Sequence, residues 1–264
     1  MRVEGATILV TGASSGIGAA LAPMLAERGA TVGVVARRAD RLAETLANCR
    51  QHTPASRLWV VDLSDVEAAV ALVHDAWSAF GGIDCLVNNA ALGKRKMVTD
   101  HSADDLDVVM RTNFTSPIRM NLALLPLMLE RGRGTIVNVA SGGGRFGIVH
   151  ESAYCAAKFA MTGWSEVAAM DLADSPVEVK LIQPGAIATE IWIPQPGELP
   201  GLPGAEFATA EECAAGIVEA IEADGFEFFV PPGLKAHVDM KNNDLQGWIE
   251  LMVGLGHAKG PPTP

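Results

Sequence analysis

The segment from Thr7 to Gly18 reads T-I-L-V-T-G-A-S-S-G-I-G and decides the fold. An apolar run, which predicts a first β-strand, passes directly into a glycine-rich turn and then into a helical pattern. Gly12, Gly16 and Gly18 allow a tight turn and a close approach of the backbone to a pyrophosphate. The spacing G-x-x-x-G-x-G differs from the commoner G-x-G-x-x-G, and such a turn alone is weak evidence. Its place between a strand and a helix nevertheless predicts a dinucleotide-binding turn.

The rest of the chain alternates short β-rich runs with longer helical patterns. Strands are predicted at Thr7–Thr11, Thr31–Ala36, Arg57–Val61, Ile83–Val87, Thr135–Ala140, Val177–Ile182 and Phe226–Val230. Helices are predicted near 15–28, 38–49, 65–80, 104–131, 152–173 and 209–223. Several runs are continuously apolar, as in strands that are covered on both faces. Right-handed βαβ units then predict an α/β Rossmann fold, a doubly wound seven-stranded parallel sheet with helices on both faces.

These elements leave no room for a second domain, so residues 1–264 are predicted to form a single domain. The segment 190–208, which is rich in proline and glycine, is predicted to be a substrate loop inserted after the sixth strand. The tail 254–264 is predicted to be flexible.

Composition excludes several classes of function. The formal net charge of −11 argues against nucleic acid or an anionic membrane surface as the main partner. No apolar run approaches the length of a membrane span, and the chain enters a strand pattern too early for a signal peptide. The four cysteines form no C-x-x-C pair, so neither a disulfide framework nor a metal site is predicted. We therefore expect a cytoplasmic protein with free thiols.

The end of the second predicted strand indicates which dinucleotide binds. A carboxylate at this point would bind the free 2′-hydroxyl of NAD. The chain instead has Ala36, followed by Arg37 and Arg38. A guanidinium pairs well with a 2′-phosphate, so the sequence predicts NADP(H) in preference to NAD(H). The phosphate is assigned mainly to Arg37, with Arg38 or Ser14 as possible helpers; a solvated pair of charges at the start of the second helix is the alternative.

A second motif follows the fifth predicted strand. Ser141 ends the apolar run T-I-V-N-V-A-S, Tyr154 lies thirteen residues further on, and Lys158 follows four residues later. Tyr154 and Lys158 share one face of the predicted helix, and a nearby ammonium should lower the tyrosine pKa from about 10. The pair would then act as a proton donor and acceptor near neutral pH. Taken alone, Y-x-x-x-K is better interpreted as a chance pair on a helix.

Taken together, the motifs resemble the classical short-chain dehydrogenase/reductase family. The resemblance covers about residues 5–190 and is carried by five motifs in the family's order: Thr11-Gly-x-x-x-Gly-Ile-Gly18, Asn88-Asn-Ala90, Ser141, Tyr154-x-x-x-Lys158 and Pro184-Gly185. It implies a catalytic group of four residues, in which Ser141 orients a substrate oxygen, Tyr154 exchanges a proton with it, and Lys158 binds the nicotinamide ribose. Asn113 would complete the group by holding a water that links Lys158 to solvent.

The cofactor site implied by the glycine-rich turn and the resemblance extends along one edge of the sheet. Its predicted residues are Gly12, Ser14, Ser15, Gly16, Ile17, Gly18, Arg37, Arg38, Asp62, Leu63, Asn89, Ala90, Tyr154, Lys158, Pro184, Gly185, Ile187 and Thr189. The resemblance implies that Asp62 holds the adenine amino group, and that Ile187 and Thr189 hold the nicotinamide carboxamide. No metal ligand is predicted.

The predicted function is an NADP(H)-dependent oxidoreductase that interconverts a carbonyl and an alcohol on a hydrophobic small molecule. Candidate pocket walls are Leu92, Met97, Phe146, Ile148, Val149, His150, Ile191, Trp192 and Ile193. His150 and Glu151 are more readily interpreted as a solvated turn. The alternatives are a nucleotide-binding sensor with little turnover, and a relative of the sugar-nucleotide epimerases and dehydratases. The apolar content of the predicted helices 104–131 and 152–173 exceeds what one face against a sheet needs. The resemblance implies a homodimer or homotetramer through these two helices; the alternative is that the surplus packs within the chain.

Overall fold

The computed structural model describes residues 1–201 and 206–257. The strands are β1 Thr7–Thr11, β2 Thr31–Ala36, β3 Arg57–Val60, β4 Cys85–Asn88, β5 Gly134–Val139, β6 Val177–Pro184 and β7 Glu227–Val230. The α-helices are α1 Gly16–Glu27, α2 Ala39–Arg50, α3 Val66–Phe80, α4 Ala103–Met110, α5 Ser116–Arg131, α6 Ser152–Asp171, α7 Ala210–Glu222, α8 Leu234–Asn243 and α9 Leu245–His257.

All seven strands join one parallel sheet in the order β3-β2-β1-β4-β5-β6-β7. The chain winds outward from β1 to β3, then crosses back to place β4 against the other side of β1. This reversal creates a crevice at the carboxyl ends of β1 and β4, where open α/β sheets bind their ligands. The predicted fold class, a doubly wound seven-stranded Rossmann fold, is confirmed.

Helices cover both faces of the sheet, and the apolar strands supply side chains to each side. Val10 packs into the core beneath α1, α2 and α7, whereas its neighbour Leu9 packs into the core beneath α3 and α5. Both residues are fully buried. Burial on both faces explains why the strands read as continuous apolar runs instead of alternating patterns.

The prediction of one continuous helix over 104–131 is wrong, because the helix is interrupted in its middle. A π-helical turn at Arg111–Thr115 separates α4 from α5, and Asn113 lies buried within that turn. Pro117 stands in the first turn of α5 and has no N–H to donate to the carbonyl four residues earlier, which belongs to Asn113. The regular hydrogen-bond ladder therefore cannot continue through this point, and π turns of this kind are frequent at functional sites.

The chain after β7 forms two helices that return to the loop following β5. Trp248 on α9 is buried, packs against the Phe146 ring with centroids 4.6 Å apart, and donates its Nε1–H to the Gly147 carbonyl at 3.0 Å. The last helix continues to His257, so the first four residues of the predicted flexible tail 254–264 are helical. Residues 258–264 lie outside the described residues, as do residues 202–205 of the predicted substrate loop.

Candidate active site

The glycine-rich turn connects β1 to α1 in conformations that require glycine. Gly12 has a φ of +70°, and a Cβ added there would lie 2.8 Å from the Cα of Ala90. A Cβ at Gly18 would lie 2.5 Å from the Gly12 carbonyl oxygen. Any larger residue at either position would push the turn away from the end of β4, which accounts for the spacing of the motif.

Thr11 ties this turn to the segment after β4. Its Oγ1 accepts hydrogen bonds from the backbone N–H groups of Asn89 at 2.9 Å and Ala90 at 3.1 Å. The Asn89 side chain returns a bond from Nδ2 to the Thr11 carbonyl oxygen at 2.9 Å. The predicted residues Asn89 and Ala90 therefore lie beside the glycine-rich turn, at the reversal of strand order.

The amino end of α1 is suited to an anion. Its N-cap residue, Ser15, makes no side-chain capping hydrogen bond, and the first turn of the helix carries no acidic residue. The first N–H groups of a helix lack intrahelical acceptors and carry a partial positive charge. These features, with the close backbone approach that the glycines allow, fit the pyrophosphate of a dinucleotide.

Arg38 is the arginine that contacts the glycine-rich turn. It donates from Nε to the Ser14 hydroxyl at 3.2 Å and from Nη2 to the Ser15 hydroxyl at 2.5 Å. Its Nη1 also bonds Glu190 at 2.6 Å, and Arg41 pairs with the same carboxylate. Arg37 instead points away: its side chain is 64% exposed and lies 3.7 Å from Asp62. The sequence predicts Arg37 as the main ligand of a 2′-phosphate, whereas these contacts favour Arg38 for that role.

The remaining predicted cofactor residues line the same edge of the sheet. Thr189 lies against the glycine-rich turn: a Cβ added at Gly16 would lie only 2.8 Å from the methyl carbon of Thr189. Pro184 ends β6, and Gly185 follows with its N–H bonded to the Val230 carbonyl at 2.8 Å. Three others are wholly or partly buried in the core near this edge: Ile17, Leu63 and Ile187.

The structure brings Ser141 and Tyr154 together. Ser141 follows β5 and caps a short 3-10 turn, where its Oγ accepts a hydrogen bond from the Gly143 N–H at 3.1 Å. Its own N–H donates to Oε1 of Gln183 at 3.1 Å, which fixes the backbone. Tyr154 stands in the first turn of α6 and is within hydrogen-bond reach of the Ser141 side chain. The strand-end placement that the sequence suggested thus positions the hydroxyl beside the phenol.

Lys158 lies one helical turn beyond Tyr154 in a fully buried position. It is 1% exposed, and its Nζ donates a hydrogen bond to the Val139 carbonyl oxygen at 2.8 Å. The same Nζ lies 5.7 Å from the centroid of the Tyr154 ring. Burial lowers the pKa of Lys158 to about 7, because a charged ammonium loses its hydration there.

The expectation that Lys158 lowers the pKa of Tyr154 is wrong for the protein alone. Burial raises the pKa of Tyr154 above its usual value, and the hydrogen bond with Ser141 opposes that rise. Desolvation disfavours the phenolate, while the lysine that should stabilise it has a lowered pKa of its own. Tyr154 is therefore held as a neutral phenol, the form that can donate a proton.

Asn113 uses its side chain to hold the loop after β4. Its Oδ1 accepts from the Leu92 N–H at 2.8 Å, and its Nδ2 donates to the Leu92 carbonyl oxygen at 2.8 Å. The pairing fixes Leu92, a predicted pocket wall, against the helix pair α4 and α6. Both polar atoms of the Asn113 side chain are therefore bonded to Leu92, and neither binds the predicted water molecule in this arrangement.

The other predicted pocket walls have different surroundings. Phe146 is buried beneath Trp248, which makes it part of a core, while Met97 and Ile193 are exposed. Trp192 donates its indole N–H to the Ile187 carbonyl at 2.8 Å, at the start of the predicted substrate loop.

Sequence reasoning missed two charged residues beside Tyr154. No pattern in the sequence singles out Arg95, and the sequence predicts a solvated turn at Glu151, yet the two are 3% and 6% exposed and form an ion pair at 3.3 Å. Charged residues are almost never fully buried unless they are paired, so their sequence carried no signal of this arrangement. Within the described residues, no cluster of His, Cys, Asp or Glu could hold a metal ion, and no helix is long and apolar enough to cross a membrane.

The strand order and the glycine-rich turn give this chain the architecture of the dinucleotide-binding α/β proteins. A family model described as short chain dehydrogenase matches residues 6–198, and the chain belongs to this family of oxidoreductases. The ketoacyl reductase HetN of Nostoc sp. is similar, with 31% identity over 229 residues that cover 86% of this chain and 79% of that protein.

Two solved structures extend the comparison. A short-chain dehydrogenase from Burkholderia phymatum in complex with NAD is 25% identical, with a TM-score of 0.82, and the match covers 100% of this chain and 98% of that one. A short-chain dehydrogenase from Sphingobium yanoikuyae in complex with NADPH is 28% identical, with a TM-score of 0.80 over 97% of this chain and 99% of that one. Because both dinucleotides occur among similar structures, the choice between them depends on residues of this chain.

Proposed function

We propose that the protein is an NADP(H)-dependent oxidoreductase that reduces a carbonyl group of a hydrophobic small molecule to an alcohol. The observation that carries the proposal is the grouping of Ser141, Tyr154 and Lys158 at the carboxyl edge of the sheet, next to an anion-binding helix end. A sensor without turnover would have no use for a buried lysine beside a neutral phenol. The similarity to a ketoacyl reductase supports the reductive direction.

In the proposed mechanism, the substrate carbonyl oxygen binds between the Ser141 hydroxyl and the Tyr154 phenol. Ser141 donates a hydrogen bond that orients this oxygen, and Tyr154 gives it a proton. Lys158 would hold the nicotinamide ribose, with Ile187 and Thr189 at the carboxamide. When bound, the nicotinamide supplies the hydride for reduction or accepts it in the reverse direction. Asn113 acts through Leu92 by fixing one wall of the site.

The preference for NADP(H) rests on Arg38. Its guanidinium is already oriented by two serine hydroxyls of the glycine-rich turn, and a planar guanidinium suits a phosphate. Glu190 shares this guanidinium in the protein alone, and hydrogen bonds from Arg38 and Arg41 hold the pKa of Glu190 below its usual value. An incoming 2′-phosphate would take over the position of this carboxylate.

We expect Arg38→Ala to weaken NADPH binding about 10-fold and NADH binding less than twofold, since only NADPH carries the 2′-phosphate. A charge-assisted hydrogen bond is worth about 1.5–3 kcal/mol, and solvent screening at this half-exposed side chain favours the lower value. Arg37→Ala is the matched control and should change the NADPH affinity by about threefold or less. Fluorescence titration of both nucleotides measures these affinities. Equal losses for NADPH and NADH would contradict the assignment.

The function itself is tested by the loss of reduced-nicotinamide absorbance across a panel of ketones, aldehydes and quinones. We expect turnover with NADPH to exceed turnover with NADH, and apolar ketones to be the best substrates. Tight NADPH binding without any turnover across the panel would favour the sensor interpretation. Turnover with NADH but not with NADPH would contradict the assignment of NADP(H) as the preferred cofactor, and the family would be unaffected.

We further propose that the protein is a homodimer or homotetramer through α5 and α6. These helices expose five large apolar side chains: Leu122, Leu129, Phe159, Val167 and Met170. Exposed apolar patches of this kind mark interaction surfaces. The cytoplasmic location stays a prediction from the sequence.

We expect Met170→Glu to convert the assembly to a monomer at micromolar concentration. Met170 is 72% exposed on α6, so the substitution places a charge in the proposed interface without disturbing the core. Met240→Glu on α8, where the side chain is 50% exposed, is the matched control and should leave the assembly intact. Size-exclusion chromatography with light scattering measures the mass. A monomeric unsubstituted protein would overturn the proposed interface.

A further inference from the structure

Arg95 is a buried arginine that no step of the proposed mechanism uses. It lies in the segment after β4, between Lys94 and Lys96, and is 3% exposed. Its lysine neighbours remain partly exposed: both pair with Asp105, and Lys94 also pairs with Glu198. A run of three basic residues is normally a solvated feature, so the burial of its central member requires a specific explanation.

On one side, Arg95 holds the segment that follows β6. Its Nη2 donates to the Ile191 carbonyl oxygen at 2.6 Å, and its Nε donates to the Leu199 carbonyl oxygen at 3.4 Å. The backbone returns a bond, because the Leu199 N–H donates to the Arg95 carbonyl at 2.8 Å. The guanidinium also lies over the Trp192 ring, 5.3 Å from its centroid. One side chain therefore holds both ends of the stretch 191–199, which lies within the described first part, residues 190–201, of the predicted substrate loop.

On its other side, Arg95 contacts the start of the catalytic helix. Its Nη1 lies 3.3 Å from Oε1 of Glu151, which is the N-cap residue of α6 and precedes Tyr154 by three positions. The second carboxylate oxygen of Glu151 is buried without a partner. Burial raises the pKa of Glu151 to about 7, and Arg95 opposes that rise. The carboxylate therefore depends on Arg95 for its charge in this position.

A buried ion pair is a poor source of stability, because each charge loses its hydration. What such a pair supplies is a defined geometry, since either charge left alone would be strongly unfavourable. Here the geometry joins three segments that are far apart in sequence: the loop after β4, the start of α6 and the loop after β6. Tyr154 lies next to this junction, as both Arg95 and Glu151 act electrostatically on its phenol.

We propose that Arg95 is a positioning residue for the reduction, which fixes the segment 191–199 against the start of α6 and so determines where a substrate meets Tyr154. The inference rests on the proposed function, because positioning matters only if Tyr154 reacts. Cofactor binding should depend little on Arg95, since none of the groups that its guanidinium contacts is assigned to the cofactor. The expected signature is therefore a defect in the use of the carbonyl substrate alone.

The kinetic test compares Arg95→Met, Arg95→Lys and the unsubstituted protein with the best carbonyl substrate of the panel. We expect Arg95→Met to lower kcat/KM for this substrate about 10- to 100-fold, mainly through KM, and to leave KM for NADPH within about twofold. Lysine keeps the charge opposite Glu151 but cannot reach the carbonyl oxygens of both Ile191 and Leu199. We therefore expect Arg95→Lys to lower kcat/KM for the carbonyl substrate about 10-fold. Lys96→Met is the matched control in the same basic run, because Lys96 pairs with Asp105 outside the segment, and it should retain the original constants.

Hydrogen–deuterium exchange supplies a readout that needs no substrate. We expect Arg95→Met and Arg95→Lys to speed exchange in peptides covering 191–199, while peptides from β1 and β5 keep their rates. Unchanged exchange there would overturn the proposal, as would equal losses for NADPH and the carbonyl. A lowered melting temperature with unchanged kinetic constants would also overturn it, because the role would then be structural. If the unsubstituted protein shows no turnover, the proposed function fails, and exchange still decides whether Arg95 holds the loop.

Discussion

Replacing Tyr154 with phenylalanine is expected to lower turnover by about 10²- to 10⁴-fold, which is the usual contribution of a positioned general acid. The substitution removes only the hydroxyl, and the ring keeps its place in the first turn of α6. Burial holds the phenol in its neutral form, and the Ser141 side chain beside it faces the place where a carbonyl oxygen is proposed to bind. Steady-state rates with NADPH and the best carbonyl substrate measure the effect.

The control for this prediction is binding. NADPH affinity should remain within a few-fold of the original value, because the pyrophosphate and 2′-phosphate contacts assigned to the glycine-rich turn and Arg38 are untouched. Phe159→Leu, on the same helix and 41% exposed, should retain turnover. Turnover by the Tyr154→Phe protein at more than a tenth of the original rate would remove Tyr154 as the proton donor. A loss of NADPH binding would instead indicate that the hydroxyl mainly supports the cofactor site.

Replacing Lys158 with methionine should abolish most turnover and, at the same time, stabilise the protein at low pH. The ordinary pKa of lysine is 10.5, and burial lowers that of Lys158 to about 7. Between these values the unfolded chain binds more protons than the folded protein, so the free energy of unfolding rises with pH. Below about pH 7 the full cost of burying the ammonium is present, and it declines as the pH rises through this window. Lys158 alone should contribute a rise of about 2–3 kcal/mol between pH 6 and pH 9.

Urea unfolding at pH 6 and pH 9, without added nucleotide, tests this prediction. The free energy of unfolding of the original protein minus that of the Lys158→Met protein should rise between pH 6 and pH 9. Other titrating groups cancel in this difference, because they contribute equally to both proteins. Loss of the bond to the Val139 carbonyl costs the variant about 1 kcal/mol at every pH, which leaves the slope unaffected. Lys180→Met, which removes another buried lysine outside the catalytic group, should keep its turnover. A difference that is the same at both pH values would mean that Lys158 has its ordinary pKa.

The fold could be predicted because its signals are local. The run Thr7–Gly18 carries a strand, a turn that only glycine can form and a helix start within twelve residues. Continuous apolar strands then require cover on both faces, which limits the topology to a parallel sheet. The interruption at Asn113 was also encoded locally, by Pro117, although the apolar pattern of the surrounding helices concealed it.

The sequence by itself thus determined the sheet, the glycine-rich turn and the candidate residues at its edge, because each depends on neighbours within a few positions. Tertiary structure decided what depends on distant partners. Arg38 contacts Glu190 across 152 positions, and Arg95 contacts Glu151 across 56 and Ile191 across 96. The pKa values of Tyr154 and Lys158 follow from the depth at which α6 is packed, since desolvation outweighs the attraction between two groups one turn apart. Burial and long-range charge pairing are properties of the folded chain, and no local pattern specifies them.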